Sequence, residues 1–552
     1  MSKNKSSNKE NNSNASTGKK SEVKKTKSSY APTLNDTLSM HEKFTNLYVI
    51  GMFTLFPVFM TDKLFNLRKD RLHYFVGTTI VLLFFVIATY LCGIDKKKWV
   101  KNIFKPTVED IGMLCFLIVS VISTALSEYG MEAVTGSEGR DSGLIIMAGY
   151  VLCYFVVSRY YKYHKLPYDI FVVSSAIVVI IAILHEFYID PFNLLTEIAE
   201  SQQTIFISTF GNINIFSCFI CVSMPVIAAL LVTSKDIPST VFYSIGVCIS
   251  FMGLLVANSD SGYVGLAAFM SILFVYSCKN AQRMFKFVFC VFLMLLSCKI
   301  FRLLSLVFKD NYKRLDTIPK TLIFNNKIYI LIAVFGGLSV LFYFIQKKYN
   351  DRPSPKAVQI TVASLVALSV LSVIGLFVYF SAIDTTTDLG KLSNYLRLND
   401  KWGTHRGYAW IRSVILFKTN GIKNMLVGSG PDTFGQVMKK YYREDMIKRH
   451  GSVFDSAHNE FLTYLVTIGA LGLLSYVTVL VSVVVKGMRR FEYSIGALIT
   501  TLVIISYCAQ SMFSLFTPIV TPFLFLFIAL SEGIIRRIPL EKKVKEKQTN
   551  KE

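Results

Sequence analysis

The sequence predicts an all-α integral membrane protein with about 12 to 14 transmembrane helices. Of its 552 residues, 52% are hydrophobic and only 17% are charged, and a water-soluble fold could not hide that much apolar surface. Apolar runs of about 17 or more residues recur along the chain, which is the length that a helix needs to cross a bilayer. Only one sizeable polar insertion, residues 383–458, interrupts this pattern.

The chain opens with about forty polar residues rather than a cleavable signal peptide, so we expect the first apolar helix to act as an uncleaved anchor. The sequence divides into five regions: a disordered basic tail (1–40), a transmembrane part (41–382), a loop or cap (383–458), the last transmembrane helices (459–535) and a second basic tail (536–552). The predicted spans are 44–61, 72–92, 108–127, 143–158, 168–188, 213–233, 239–257, 262–278, 284–301, 327–345, 358–382, 459–485, 493–512 and 515–535.

Lysine and arginine residues in the short loops predict the orientation. The loops 93–107, 159–167, 279–286, 346–356 and 486–490 are basic, as are both tails, whereas the alternate loops 128–142 and 185–212 are acidic. We therefore expect a multi-pass protein of the cell membrane with both termini in the cytoplasm and loop 383–458 outside. Two loops on the predicted outer side, 62–71 and 302–327, contradict the pattern because they are basic.

The long polar insertion has features of a folded element that handles an anion. From Asp384 to His458 it carries twelve Lys or Arg residues and seven Asp or Glu residues, although outer loops are normally depleted in basic residues. Helical patterning near 406–418 and 432–449 predicts a small cap over the membrane.

Composition argues against several other classes. The net charge of +23 is not spread evenly, and both tails are Lys-rich, which the positive-inside bias explains more simply than nucleic-acid binding does. The ten cysteines fall in or beside apolar runs and predict no disulfide framework. The CxxC of Cys218 and Cys221 has no nearby His or acidic residue to complete a metal site, so we predict neither a metal nor a cofactor.

His458 is the leading candidate for a catalytic base. The segment 455–464, Asp-Ser-Ala-His-Asn-Glu-Phe-Leu-Thr-Tyr, joins the long loop to an apolar span. An imidazole at that boundary can accept a proton from a water-side hydroxyl while a lipid-borne substrate lies beside it. The alternative is a histidine that caps a helix end.

Arginine and glycine residues of the same loop suggest an anion site. Arg406, in segment 404–410, offers a guanidinium that binds phosphate oxygens in pairs. Segment 427–434, Val-Gly-Ser-Gly-Pro-Asp-Thr-Phe, looks superficially like a phosphate cradle, but a structural turn is the simpler interpretation. His458 and Arg406 together could serve as base and charge stabiliser without a metal ion.

Three other polar clusters lie at predicted outer membrane boundaries: segments 136–143, 210–214 and 257–263. Each could cap a helix end, yet their occurrence on one face suggests a common cavity. The residues that we predict to line it are Asn212, Asp260 and Asn459.

Taken in their order along the chain, the motifs resemble those of the O-antigen ligase/polymerase family of polytopic bacterial glycosyltransferases. The resemblance rests on Gly136, Arg140 and Gly143; Phe210-Gly211-Asn212; the cluster at 258–262; Arg406 with Trp410; Gly428-Ser429-Gly430 with Phe434; Ala457-His458-Asn459; Gly469 with Gly472; and Gln510-Ser511. It spans roughly residues 136–535, and its most specific part is Ala-His-Asn after a long outer loop.

The resemblance implies a GT-C-like bundle and transfer of a glycan from an undecaprenyl-diphosphate carrier to an acceptor hydroxyl at the outer face, without a metal ion. His458 would then be the base and Arg406 a ligand of the donor diphosphate. Many members have Ser-Arg-x-Gly where this chain has Ser259-Asp260-Ser261-Gly262. Because Asp260 cannot bind a diphosphate as arginine would, Arg140 could be the second diphosphate ligand.

Alternatives remain open at the level of sequence. Ligase and polymerase differ only in the acceptor, which could be another glycan, a lipid, a protein or a wall polymer. A flippase for lipid-linked oligosaccharides would suit fourteen spans, but transporters place ionisable residues within their spans and show repeats. An assembly protein without catalysis would leave the His/Arg loop unexplained.

Overall fold

A computed structural model describes residues 38–94, 105–349 and 352–538. The predicted tails 1–40 and 536–552 lie almost wholly outside the described residues, as does most of the basic loop 93–107.

The first part of the chain forms helices joined by short loops. A two-stranded antiparallel ribbon, β1 (Phe206–Ile207) and β2 (Gly211–Asn212), precedes the eighth helix. The helices are α1 Met40–Thr54, α2 Leu67–Leu91, α3 Val108–Ala125, α4 Met131–Thr135, α5 Leu144–Tyr160, α6 Lys165–Glu186, α7 Glu200–Gln203, α8 Ile213–Thr233, α9 Ile237–Val256, α10 Asp260–Ser277 and α11 Ala281–Val307.

The second part contains the cap and the closing helices. A π-helical turn, Tyr379–Ile383, extends the fourteenth helix into the cap. The helices are α12 Thr317–Phe324, α13 Lys327–Tyr349, α14 Lys356–Val378, α15 Ser393–Leu396, α16 Trp402–Thr419, α17 Gly421–Val427, α18 Phe434–His450, α19 Glu460–Thr467, α20 Gly469–Met488, α21 Ile495–Ser511 and α22 Thr521–Arg537.

The all-α polytopic class is confirmed. Ten of the described helices are long and apolar enough to cross a membrane, and α5 and α21 are shorter apolar helices. Every predicted span contains a helix, but some bounds were wrong. Predicted span 515–535 becomes a helix only at Thr521, with proline in its first turn, because proline is tolerated there and disrupts a helix interior. Predicted span 459–485 is broken at Ile468 into α19 and α20.

Two helices, α8 and α22, occupy the centre of the bundle. All of the hydrophobic window of α8 is buried, and so are the residues of α22 from Thr521 to Ile535. Tyr150 of α5 stacks on Phe525 of α22 with ring centroids 4.2 Å apart. By contrast, α14 has no buried residue, so its apolar surface is left for lipid.

The loops sort into two groups by mutual contact, and we call the face that carries residues 384–458 the cap face. Lys63 pairs with Glu197 at 2.7 Å, and Lys313 donates to the carbonyl of Gln203 at 2.9 Å. Both basic exceptions to the charge pattern, 62–71 and 302–327, therefore lie with the acidic loop 185–212. Some of their cations are paired or hydrogen-bonded there, as Lys63 and Lys313 are.

The opposite face holds the other loops and an ion-pair network between helices. Asp110 of α3 accepts from Arg159 of α5 at 2.8 Å and from Arg536 of α22 at 2.7 Å. Arg536 also pairs with Glu532 at 2.8 Å. Charges at this depth are stable only when paired, so the network fixes the ends of three helices.

The cap has its own small apolar core. On α18 the buried residues Phe434, Val437, Met438 and Met446 recur at helical spacing and pack with Tyr408 and Leu416 of α16. Helix α18 ends in Lys448-Arg449-His450 followed by left-handed Gly451, a favourable combination for the negative end of a helix. The predicted cap helices 406–418 and 432–449 are observed as Trp402–Thr419 and Phe434–His450.

Candidate functional site

His458 lies in the short connection between the cap and α19. Its backbone has φ +47°, and its N–H donates to Ser456 Oγ at 3.0 Å. The next residue, Asn459, caps α19 by accepting from the N–H of Leu462 at 3.0 Å. On the other side, Trp410 Nε1–H donates to the carbonyl of Ala457 at 3.0 Å. The backbone around the imidazole is therefore fixed on both sides, while no hydrogen bond occupies its ring nitrogens within the described residues.

Arg406 lies near the start of α16, after a turn that departs from right-handed helical geometry. Gly403, Thr404 and His405 all have positive φ, at 58°, 57° and 70°. Within the described part of the chain, the half-buried Arg406 guanidinium makes no ion pair and no hydrogen bond. Its charge interacts with Asp260 and with His458. It is thus a cation available for an anionic ligand.

The surroundings keep His458 neutral. Burial lowers the pKa of its imidazole to about 4, Arg406 and Arg140 add to the effect, and Asp455 opposes it. Burial also lowers the pKa of Arg406, with Asp260 opposing, but a guanidinium stays protonated. A neutral imidazole beside a fixed cation is the charge arrangement needed by a general base next to an anion site.

Arg140 is engaged with two carboxylates. It is 5% exposed, and its guanidinium lies 2.9 Å from Asp432 Oδ1 and 3.3 Å from Asp455 Oδ2. Burial disfavours its charge, but the two carboxylates outweigh burial and raise its pKa. The other oxygen of Asp432 accepts the N–H groups of Ser137 and Ser142 at 3.0 and 3.1 Å. Arg140 thereby joins segments 137–142, 428–433 and 455–458 into one unit.

The glycine turn at 428–430 is a packing device. The N–H of Ser429 donates to the carbonyl of Val466 at 3.2 Å, and that of Gly430 to Thr467 at 2.9 Å. A Cβ on Gly428 would lie 2.3 Å from the carbonyl carbon of Thr467, and one on Gly469 would lie 2.4 Å from that of Leu426. The turn therefore holds the cap against the junction of α19 and α20, in agreement with the structural interpretation.

A hydrogen-bond network joins three polar clusters that are far apart in sequence. Ser259 Oγ donates to Asn214 Oδ1 at 2.7 Å and lies 2.9 Å from Ser261 Oγ. Gln510 Nε2 donates to Ser261 Oγ at 3.2 Å and to the carbonyl of Asn214 at 3.3 Å. Asn212 caps α8 by accepting from the N–H of Asn214 at 2.8 Å. These contacts bring the starts of α8 and α10 to the end of α21.

Asp260 is the first residue of α10, and it is exposed. It lies close enough to Arg406 for the two charges to interact, although no ion pair forms between them within the described residues. The structure thus groups Asp260 with Arg406 and His458. Asn212 and Asn459 each act as a helix cap, and Arg140 is held in its carboxylate pairs close enough to His458 to lower the imidazole pKa.

Sequence reasoning missed the roles of Asp432, Asp455 and Phe513. The two aspartates bind Arg140, which is about three hundred positions away, so no local pattern could pair them. Phe513 follows α21 and packs on Trp410 with centroids 5.9 Å apart. Its only sequence signal is its position three residues after Gln510. Among the described residues, no group of three or more His, Cys, Asp or Glu side chains is arranged to hold a metal ion.

Part of the chain matches a known protein family. Residues 321–477 match a family model described as O-antigen ligase. This stretch runs from α12 into α20 and contains both Arg406 and His458, whereas Arg140, Asn212 and Asp260 precede it. No curated protein is significantly similar to the chain.

Proposed function

We propose that the chain, whose residues 321–477 match the O-antigen ligase model, is a member of that family and transfers or polymerises a glycan from an undecaprenyl-diphosphate carrier onto an acceptor hydroxyl. The reaction takes place at the outer face of the cell membrane, which we take to be the cap face. Outside the cytoplasmic membrane there is no pool of nucleotide sugars, so the donor must arrive already activated on a lipid. The acceptor is a glycan, a lipid or a protein.

His458 acts as the general base. Its neutral ring nitrogen takes the proton of the acceptor hydroxyl as that oxygen attacks C1 of the donor sugar. The bond between C1 and the diphosphate oxygen breaks, and the diphosphate leaves with its electron pair on the carrier. The proton on His458 then passes to water. Burial lowers the pKa of His458 to about 4, so the imidazole is unprotonated at neutral pH and can accept a proton, while its basicity is lower than that of a solvated imidazole.

Arg406 stabilises the departing diphosphate. A guanidinium fixed where negative charge develops lowers the barrier more than a mobile cation does, because it needs no reorganisation. The observation that carries the proposal is a guanidinium with no ion pair or hydrogen bond within the described residues, close enough to a neutral imidazole for the two groups to interact. A merely structural arginine at that depth would be expected in an ion pair.

Arg140 plays a positioning part in this proposal through its carboxylate pairs, and its role as a second diphosphate ligand stays a prediction. Its charge is already balanced by the buried Asp432 and the exposed Asp455, so a diphosphate would have to compete with Asp455 to reach it. We assign Asn212 and Asn459 to the walls of the site and Asp260 to a position facing Arg406. No side chain in this scheme requires a metal ion.

The test uses cells that lack the native gene and express His458→Ala or Arg406→Ala. We expect transferred or lengthened glycan to disappear and lipid-linked units to accumulate on the outer leaflet. The matched controls are His73→Ala and Arg443→Ala, since both residues are exposed and lie outside the site. Membrane levels of every variant are measured in parallel.

Two outcomes would overturn the assignment. Normal glycan in stably inserted His458→Ala cells would exclude the base. Accumulation of lipid-linked units on the inner leaflet would instead favour the competing function, a flippase for lipid-linked oligosaccharides. Incubation of purified protein with the extracted carrier and different acceptors then separates ligase from polymerase by the mass of the product.

A further inference from the structure

Three aromatic side chains form a half-buried cluster at the edge of the candidate site. Trp402 and Trp410 of α16 have ring centroids 4.9 Å apart, and Phe513 lies 6.1 Å from Trp402 and 5.9 Å from Trp410. We call these three residues the aromatic platform. The chain has only three tryptophans, and two of them meet here.

The platform contacts the two chain segments that carry His458 and Arg406. Trp410 Nε1–H donates to the carbonyl of Ala457 at 3.0 Å, directly before His458. A Cβ on Gly407 would lie 3.1 Å from Trp402 Cβ, so Trp402 packs against the turn that carries Arg406. The platform therefore adjoins the residue before His458 and the residue after Arg406.

The rings of the platform are not part of the fully buried core. The aromatic residues of the bundle core, such as Tyr150 and Phe525, are wholly buried, whereas all three platform residues keep part of their surface accessible. Aromatic faces carry partial negative charge, and the C–H groups of a pyranose ring carry partial positive charge. A sugar lying flat on such a ring gains apolar and electrostatic contact while its hydroxyls stay in water.

We propose that the aromatic platform is a sugar-binding subsite that stacks the ring attached to the donor diphosphate. This proposal rests on the proposed function, because it places the sugar between Arg406 and His458. With the diphosphate on Arg406 and the attacking hydroxyl at His458, the sugar that carries C1 must lie between them. The platform borders that space.

The position of α14 supports the donor over the acceptor as the occupant. Phe377 of α14 packs on Trp402 with centroids 5.6 Å apart, and α14 has no buried residue. The platform thus adjoins the most lipid-accessible helix of the described part of the protein. A carrier with its polyprenyl tail in the bilayer would approach from this side, and its first sugar would meet Trp402.

The first experiment compares Trp402→Leu with Trp402→Phe. Both changes lose the indole N–H, which donates to the carbonyl of Tyr395 at 3.3 Å, but only the phenylalanine keeps an aromatic face. We expect Trp402→Leu to raise KM for the extracted lipid-linked donor about ten-fold, the size of one lost aromatic contact, with KM for the acceptor unchanged. Trp402→Phe should restore most of the affinity. Phe344→Leu, on the exposed side of α13, is the control for an aromatic-to-leucine change.

The second experiment measures binding without turnover. In a Trp99→Phe background, Trp402 and Trp410 are the only tryptophans. Oligosaccharides released by mild acid from the host's lipid-linked pool are titrated while tryptophan fluorescence is recorded. We expect a saturable change that persists in His458→Ala and is weakened in Phe513→Leu relative to Phe513→Tyr.

The outcomes separate the two proposals. If transfer occurs and Trp402→Leu has the donor KM of Trp402→Phe, the platform is not a sugar subsite and the reaction stands. If His458→Ala transfers glycan normally while Phe513→Leu still weakens the fluorescence change relative to Phe513→Tyr, the sugar subsite is supported and the catalytic role of His458 is excluded. Loss of acceptor affinity instead of donor affinity would overturn the assignment to the donor sugar.

Discussion

At the scale of single residues, the position of His458 is defined by the backbone more than by side-chain partners. Ser456, the Asn459 cap and Trp410 fix the chain around it, while its ring nitrogens bind no described residue. A base held in this way is oriented before substrate arrives. This reduces the entropy that must be lost as the reacting groups come together.

The pH dependence of transfer should report the burial of His458. Because burial lowers its pKa from 6.5 to about 4, we expect kcat/KM to stay level from neutral pH down to about pH 5 and to fall through about pH 4. kcat/KM is the appropriate measurement, since it reports the free enzyme. Asp455→Asn should move the acid limb to still lower pH, because Asp455 favours the protonated imidazole. A midpoint near 6.5 would mean that an ordinary, solvated imidazole is the base.

The lowered pKa of His458 also makes the stability of the folded protein depend on pH. The unfolded chain binds the His458 proton at a higher pH than the folded chain does, so this contribution to stability is fully present above pH 6.5 and decreases as the pH falls toward 4. Neutral His458 is thus favoured both by folding and by the proposed chemistry.

At the scale of elements, the site depends on how segments from distant parts of the chain are joined. Removing the Asp432 carboxylate should leave the buried Arg140 with only the exposed Asp455 as a partner and two backbone N–H groups without an acceptor. We expect Asp432→Leu to destabilise the protein by about 3–5 kcal/mol and Asp432→Asn by less, because the amide oxygen can still accept. The measurement is thermal unfolding of the detergent-solubilised protein. If both variants lose the same free energy of unfolding, the hydrogen bonds to Ser137 and Ser142 contribute nothing to stability.

The glycine contacts between α17, the turn at 428–430 and α20 allow a matched comparison. Gly421, Gly428 and Gly469 all have positive φ, at 79°, 78° and 69°, but nothing lies within 4 Å of a Cβ on Gly421. Gly421→Ala should therefore cost only the backbone term, about 1–2 kcal/mol. Gly428→Ala and Gly469→Ala add a clash with backbone atoms and should cost roughly 3–5 kcal/mol. Equal thermal stability of the three variants would refute the close packing.

These elements also show what sequence can and cannot predict. Apolar runs gave helices in every predicted span because their length and hydropathy are local properties. The role of Arg140 could not be predicted, since its partner Asp432 is brought near only by the tertiary fold. Thr404 and His405 share a left-handed turn with Gly403 that their residue types do not favour, so the approach of Arg406 to His458 was also hidden.

At the scale of the whole molecule, the loops form two groups, and their orientation in the membrane stays a prediction. In the two basic loops that contradict the charge pattern, Lys63 pairs with Glu197, and Lys313 donates to the carbonyls of Gln203 and Phe206. The positive-inside bias counts lysine and arginine whether or not they are paired, so these contacts do not remove the inconsistency of loops 62–71 and 302–327.

This orientation can be tested by cysteine labelling. Lys418 on α16 and Arg489 after α20 are both exposed and lie in loops of opposite groups. All ten native cysteines, each within the described residues, are free, so labelling is read as the increase over the unmodified chain. We expect a membrane-impermeant maleimide to label Lys418→Cys in intact cells and Arg489→Cys only after permeabilisation. The reverse would place the cap, Arg406 and His458 in the cytoplasm, where nucleotide sugars are available and a lipid-linked donor would no longer be required.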